Sequence, residues 1–184
     1  MPKYCCFLHP EASEEDRKLS DLCPKCEKPY GFPLSDYPKQ IDKYRIVEPL
    51  DRGFYSAAYV AETGPFNQPR VIKVVSKGIY DHFRKNFNFE CKEHARAAEG
   101  SHHIIKIHDM KLDMDISFGG VSIPCHIAEM DFVDGKTLSL FLASGEIIAS
   151  NTIAQLAIDL FTLMGELNNK QVYHNDLQPG NLIV

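Results

Sequence analysis

The chain has no run of basic residues, no basic terminus, and no apolar stretch approaching the roughly 20 residues that cross a bilayer. With a formal net charge of -5 at pH 7, neither a nucleic-acid surface nor a broad affinity for anionic membranes is expected. The N-terminus lacks a basic segment followed by an apolar one, so no secretory signal is read and a cytoplasmic setting is the default expectation. No internal repeat and no low-complexity segment occurs, which excludes repeat architectures. What remains is a composition of 44% hydrophobic and 24% charged residues over 184 positions, enough for one medium domain plus a small appendage.

Cysteine is spread unevenly: four of the six lie in the first 26 residues. In a reducing compartment such a cluster points to metal rather than to disulfides. Cys6-x-x-His9 and Cys23-x-x-Cys26 form two half-sites with thirteen residues between them. A two-residue spacer lets both ligands of a pair turn toward one ion, and zinc prefers a closed shell of thiolate and imidazole. Cys5 with His9 is an alternative pair. A segment this short cannot fold on its own apolar area, whereas structural zinc supplies an apparent ~10–16 kcal/mol in comparable peptides. Cys6-Phe7-Leu8-His9-Pro10-Glu11 and Cys23-Pro24-Lys25-Cys26 also resemble short bacterial metal-binding ribbons. Residues 1–34 are therefore expected to form a zinc-ribbon-like segment, and residues 35–43 a linker.

From Tyr44 onward the pattern becomes strand-like. Residues 44–48 and 57–61 read as two short strands about a turn-like Asp51-Arg52-Gly53-Phe54, and residues 70–75 as a buried β-branched strand carrying one lysine, Lys73. Residues 81–98 carry charges at helical spacing and predict one helix. Residues 104–112 and 121–130 predict two more strands, joined by a loop over 113–120. Thr152-x-x-Gln155 is a capping-box pattern opening a helix with Ile153, Leu156, Leu160, Met164 and Leu167 on one face. Cys91 and Cys125 fall inside elements, where buried packing is the ordinary role.

The last twelve residues run Tyr173-His174-Asn175-Asp176-Leu177-Gln178-Pro179-Gly180-Asn181-Leu182-Ile183-Val184. An Asp, an Asn five positions later, Pro-Gly between them and an apolar strand after resemble the catalytic loop of protein kinases. Earlier elements follow in the matching order, so the chain resembles the protein kinase-like superfamily from Tyr44 to its end. That resemblance implies an α+β fold: a kinase-like N-lobe over 44–133, an antiparallel sheet with one helix, and the start of a helical C-lobe over 134–184.

The same resemblance implies roles. Asp176 would orient and deprotonate an attacking hydroxyl, and Asn181 would hold a magnesium ion on the nucleotide phosphates. Lys73 would neutralise the α- and β-phosphates and be held by a carboxylate of the following helix, Glu90 or, one turn on, Glu93. Gly53 would be the one retained glycine of a phosphate-covering loop, with Asp51 and Ser56 where the outer two would stand. Met130 would back an adenine pocket, with the carbonyl of Asp131 and the amide of Val133 contacting the base. Two departures mark the loop: Asn175 stands where a phosphate-sensing Arg is usual, and Gln178 where a Lys would touch the γ-phosphate.

The implied activity is that of a Ser/Thr-type protein kinase, moving the γ-phosphoryl of MgATP to a protein hydroxyl. ATP, Mg2+ and a structural Zn2+ are its expected cofactors, and a protein substrate or docking partner its expected partner. Asp176-Leu177-Gln178-Pro179-Gly180-Asn181 also resembles the loops of aminoglycoside and choline phosphotransferases, so a small-molecule acceptor is the alternative. A third reading is a non-catalytic pseudokinase scaffold that binds a partner through the ribbon and helix 153–167.

A kinase further needs a second metal-binding Asp, an activation segment and more helices beyond the catalytic loop, and the sequence holds none of them. Five large apolar residues on helix 153–167, each worth roughly 1.5–3 kcal/mol when buried, call for a covering element. The expectation is a part of a longer chain, or one covered by a partner, that alone is not a competent phosphotransferase.

Overall fold

The computed structural model describes residues 37–52, 56–118, 121–145 and 149–184. The expected zinc ligands Cys6, His9, Cys23 and Cys26, the alternative ligand Cys5, and the loop glycine Gly53 lie outside the described residues. The chain divides into two compact units, one formed by residues up to Cys91 with Ile107–Phe132, the other by Lys92–Lys106 with Val133–Val184.

The first unit is built on a six-stranded sheet of order β1-β2-β3-β4-β6-β5, every neighbouring pair antiparallel. The strands are β1 (Gln40–Ile41), β2 (Tyr44–Arg52), β3 (Ser56–Thr63), β4 (Gln68–Ser76), β5 (Ile107–Phe118) and β6 (Val121–Asp131). Alternation sets the core. Along β4, Ile72 and Val74 point to one face and are buried with Tyr44, Tyr59, Phe118, Cys125 and Ile127. Val71, Lys73 and Val75 take the other face, where Val75 packs with Tyr80, Phe87, Cys91 and Ala128. Cys91 and Cys125 are buried as expected, and burial pushes their thiols up to about 11 and about 12.

Two expectations are corrected here. The single helix over 81–98 is two helices, α1 (Lys77–His82) and α2 (Phe87–Ala98). Lys85 N–H donates to the Tyr80 carbonyl and Arg84 N–H to that of Asp81, with Arg84 at φ 52°. That is the Schellman ending, built here without the usual glycine. Asn86 then caps α2, its Oδ1 accepting from Phe89 N–H at 2.9 Å. The second correction is the loop over 113–120, because β5 continues to Phe118. A bulge between Lys111 and Met114 lets the ladder absorb Asp113, which sits at φ 55°.

The second unit contains α3 (Leu138–Ala143) and α4 (Ser150–Asn169). The Thr137 hydroxyl oxygen caps α3 by accepting from Leu140 N–H. On α4 the predicted capping box does not form. The N-cap is Ala149, without a side-chain bond, and Gln155 turns forward to Asp159 one turn on rather than back. Of the predicted apolar face only Leu167 is buried; it packs with Leu163, Ala97, Ile104 and Val172, while Ile153 and Met164 are exposed. The helix ends in a second Schellman turn, Gln171 at φ 53°, with Val172 N–H donating to the Leu167 carbonyl at 3.0 Å.

Candidate functional site

In the first unit, register explains how Lys73 is presented. Residues directly opposite one another share a face, so Ala58, Lys73 and Ala128 form one row. Val60, Val71 and Met130 form the next row on that face. Alanines on both flanks leave room beside the lysine stem. Its ammonium pulls the Cys91 thiol down while burial, the larger effect, pushes it up, so the cation faces α2.

The expected Lys73–Glu90 ion pair is not formed. The Tyr80 hydroxyl donates to Glu90 Oε2 at 2.8 Å, and Lys85 Nζ lies 3.7 Å from Oε1. The reason is local: the turn that breaks the predicted helix brings Tyr80 and Lys85 beside the first turn of α2. Glu93, the other candidate, pairs with Arg96 three residues on. Among the described residues, the Lys73 ammonium makes no ion pair. Asp51 is the penultimate residue of β2 and Ser56 the first of β3, on either side of the undescribed residues 53–55. Met130 and Asp131 close β6, and Val133 begins the second unit, exposed.

The loop of the second unit draws three predicted residues together. Asn181 Nδ2 donates to the carbonyl of Asp176 at 2.8 Å and to its Oδ2 at 2.9 Å. Gln178 Nε2 donates to the other carboxylate oxygen at 3.1 Å, and Asp176 N–H donates to His174 Nδ1 at 3.3 Å. Both oxygens of the exposed carboxylate are thereby oriented by neutral amides. Asn175 adopts φ 58°, a left-handed conformation that Asn tolerates better than most residues. The residue type at this departure thus suits the backbone.

A short ladder anchors the loop. Leu138 N–H donates to the Leu182 carbonyl at 2.7 Å and Val184 N–H to that of Lys136 at 2.9 Å, with Thr137 bridged to Ile183. Gly135 is required by close approach: a Cβ there would lie 2.6 Å from Ile183 Cγ2 and 2.9 Å from the Val184 carbonyl oxygen.

The donor set suits magnesium. The Asn181 amide nitrogen is committed to Asp176, so its carbonyl oxygen is left as a hard donor. Mg2+ typically takes only one or two protein oxygens, completing its shell with water and phosphate. Sequence reasoning missed the Tyr80–Glu90 bond and the buried carboxylate of Glu129. A charged residue beside the Met130 candidate was the available signal for the latter.

No family model matches the chain. Among curated proteins it is similar to the serine/threonine-protein kinase PknD of Protochlamydia amoebophila, 23% identical over 175 residues, covering 89% of this chain and 17% of that protein. It is also similar to the probable serine/threonine-protein kinase CA_C1728 of Clostridium acetobutylicum, 22% identical over 143 residues, covering 78% and 20%. The human serine/threonine-protein kinase tousled-like 2 is 25% identical over 158 residues, covering 82% and 19%. Among solved structures, the PknI kinase domain of Mycobacterium tuberculosis superposes with a TM-score of 0.59 at 21% identity, covering 79% of this chain and 56% of that one. The chain therefore has a protein-kinase-like fold. It spans about a fifth of the length of the curated relatives it matches, and just over half of the solved domain.

Proposed function

We propose that these residues belong to a Ser/Thr-type protein kinase that moves the γ-phosphoryl of MgATP to a protein hydroxyl. The observation that supports this most is the Asp176 carboxylate, oriented by the Asn181 and Gln178 amides on a loop braced by Gly135. Asp176 accepts the proton of the attacking hydroxyl and aligns its oxygen. Lys73 holds the nucleotide phosphates, and among the described residues no carboxylate pairs with it, which leaves its charge for them. The adenine is met by the backbone carbonyl of Asp131, with Met130 beside it. Asn181 is the residue that would hold magnesium, which when bound neutralises phosphate charge. Gln178 contributes hydrogen bonding but no cation, so transfer is expected to be slower than with a lysine there.

A second reading, a nucleotide-binding scaffold without transfer, draws on the Lys73 that Glu90 does not engage. The zinc ribbon over residues 1–34 is part of the proposal as a docking or regulatory element, with Cys6, His9, Cys23 and Cys26 as ligands. Stoichiometric zinc in purified protein checks it, and zinc-free folded protein contradicts it.

Calorimetric titration with MgATP tests the main reading. Saturable binding, weakened by Lys73→Met and by Asn181→Ala, is expected. No heat at millimolar nucleotide would refute it. Binding that persists while a longer chain transfers no phosphate would favour the scaffold.

A further inference from the structure

Glu129 is 7% exposed, on the same face of β6 as Cys125 and Ile127, which are 0% and 1% exposed. Burial alone would be served by another apolar residue at this position. Instead the site holds a carboxylate with both oxygens matched. The Tyr44 hydroxyl donates to Oε2 at 2.7 Å, with Lys43 Nζ 3.6 Å from the same oxygen, and Arg70 Nε donates to Oε1 at 3.3 Å. Burial, and then this bond, hold the Tyr44 phenol well above its ordinary range, so it stays a donor.

The neighbours extend the cluster across the sheet. Lys43 also lies 3.5 Å from Asp109 on β5, and Asp131, two residues along β6, meets His108 Nε2 at 2.5 Å. In register, Arg70 of β4 faces Asp131, while Ile72 and Asp109 flank Glu129. Charged or hydroxyl groups from β2, β4, β5 and β6 thus gather where β6 ends at Asp131. A buried ion pair is a weak source of stability, because desolvation offsets the attraction, and its best-attested use is to fix register.

We propose that Glu129 is a positioning residue of the nucleotide site: by tying β6 to β2 and β4, it holds the Asp131 carbonyl in the register that accepts a hydrogen bond from the amino group of an adenine base. The inference rests on the nucleotide reading given above and adds what sets base selectivity. Without Glu129, Arg70 and Lys43 face no shared anion and the end of β6 can shift. The phosphate contacts of Lys73, one turn of the pleat away on β4, do not depend on that shift.

The test compares MgATP and MgGTP dissociation constants for the full chain and its variants. Wild type is expected to prefer MgATP. Glu129→Gln is expected to weaken MgATP about tenfold, a change of one decade in dissociation constant, while MgGTP changes little, so the preference collapses. Tyr44→Phe removes one bond with little change of volume and should shift the ratio in the same direction by less. Lys73→Met should weaken both nucleotides and leave the ratio unchanged, which a general loss of folded protein would also do. Folded Glu129→Gln, or Tyr44→Phe if the former does not fold, retaining the wild-type ratio would overturn the proposal, as would a wild type indifferent to the base. A wild type that binds neither nucleotide would instead refute the nucleotide reading itself.

Discussion

The two units bury their residues very differently. In the sheet unit, Ile72, Val74, Val75 and Phe118 are wholly buried, and even a carboxylate, Glu129, is buried with each oxygen matched. In the helical unit, α4 is twenty residues long but buries only Leu163 and Leu167, while Ile158 is 57% and Phe161 75% exposed. The sheet unit has an interior of its own. The helical unit relies on a few specific contacts: the Ser101 hydroxyl donating to Glu166, Lys170 Nζ donating to the Ala97 carbonyl at 2.7 Å, and the short ladder behind the loop over 174–181. A packed interior punishes lost volume, whereas a sparsely packed unit is sensitive at its close approaches and polar contacts.

Cutting into each unit gives the largest expected difference. Ile72→Ala should cost about 2–5 kcal/mol in chemical denaturation, the range for emptying a buried aliphatic site. Phe161→Ala should stay within about 0.5 kcal/mol, as for an exposed position. Similar losses for the two would dissolve the contrast.

Overpacking Gly135 comes next. Gly135→Ala places a methyl against Ile183 and the Val184 carbonyl oxygen and should cost about 1–3 kcal/mol. Faster hydrogen exchange at the Leu138 and Val184 amides would locate the damage in the loop anchor. Unchanged exchange and melting temperature would mean the close approach does not constrain the loop.

Smaller effects come from pH, and they separate the units by window. Burial lowers the His126 pKa from its ordinary 6.5, with Asp113 opposing. The imidazole stacks on Phe87 at 5.4 Å, and its Nδ1 accepts from Asp113 N–H at 3.1 Å. Because the unfolded chain takes up that proton first, the stability is present above pH 6.5 and lost as pH falls toward the folded pKa. Glu166 is lowered from 4.5, chiefly by the Ser101 hydroxyl. Its contribution is present above pH 4.5 and lost as pH falls further. Melting curves between pH 7 and 5 should therefore soften the sheet unit first, and His126→Gln should flatten that slope. If Ser101→Ala flattened it instead, the assignment would be reversed.

Much of the fold could be read from the sequence where alternation or helical period was strong. Residues 57–61, 70–75 and 121–130 fall within β3, β4 and β6, and residues 152–167 within α4. Three features could not be read, each for a physical reason. The break between α1 and α2 is made by Arg84 in a left-handed conformation, where a glycine would have announced it. β5 runs through Asp113 because a bulge absorbs a residue type that ordinarily ends strands. Thr152 and Gln155 have the spacing of a capping box, but the helix begins one turn early and leaves them inside it. At the candidate site, residue types and spacing pointed to Asp176, Gln178 and Asn181, which the loop brings into contact. The pairing of Lys73 with Glu90 that spacing suggested does not form, since Glu90 is engaged by Tyr80 and Lys85.

In the function proposed above, Lys73 and the Asp131 carbonyl of the sheet unit meet a magnesium nucleotide. A crystal structure of the chain with magnesium and a non-hydrolysable ATP analogue tests it most directly. The expected result is adenine against the Asp131 carbonyl and phosphates at Lys73. Analogue bound elsewhere, or phosphates that do not meet Lys73, would contradict it.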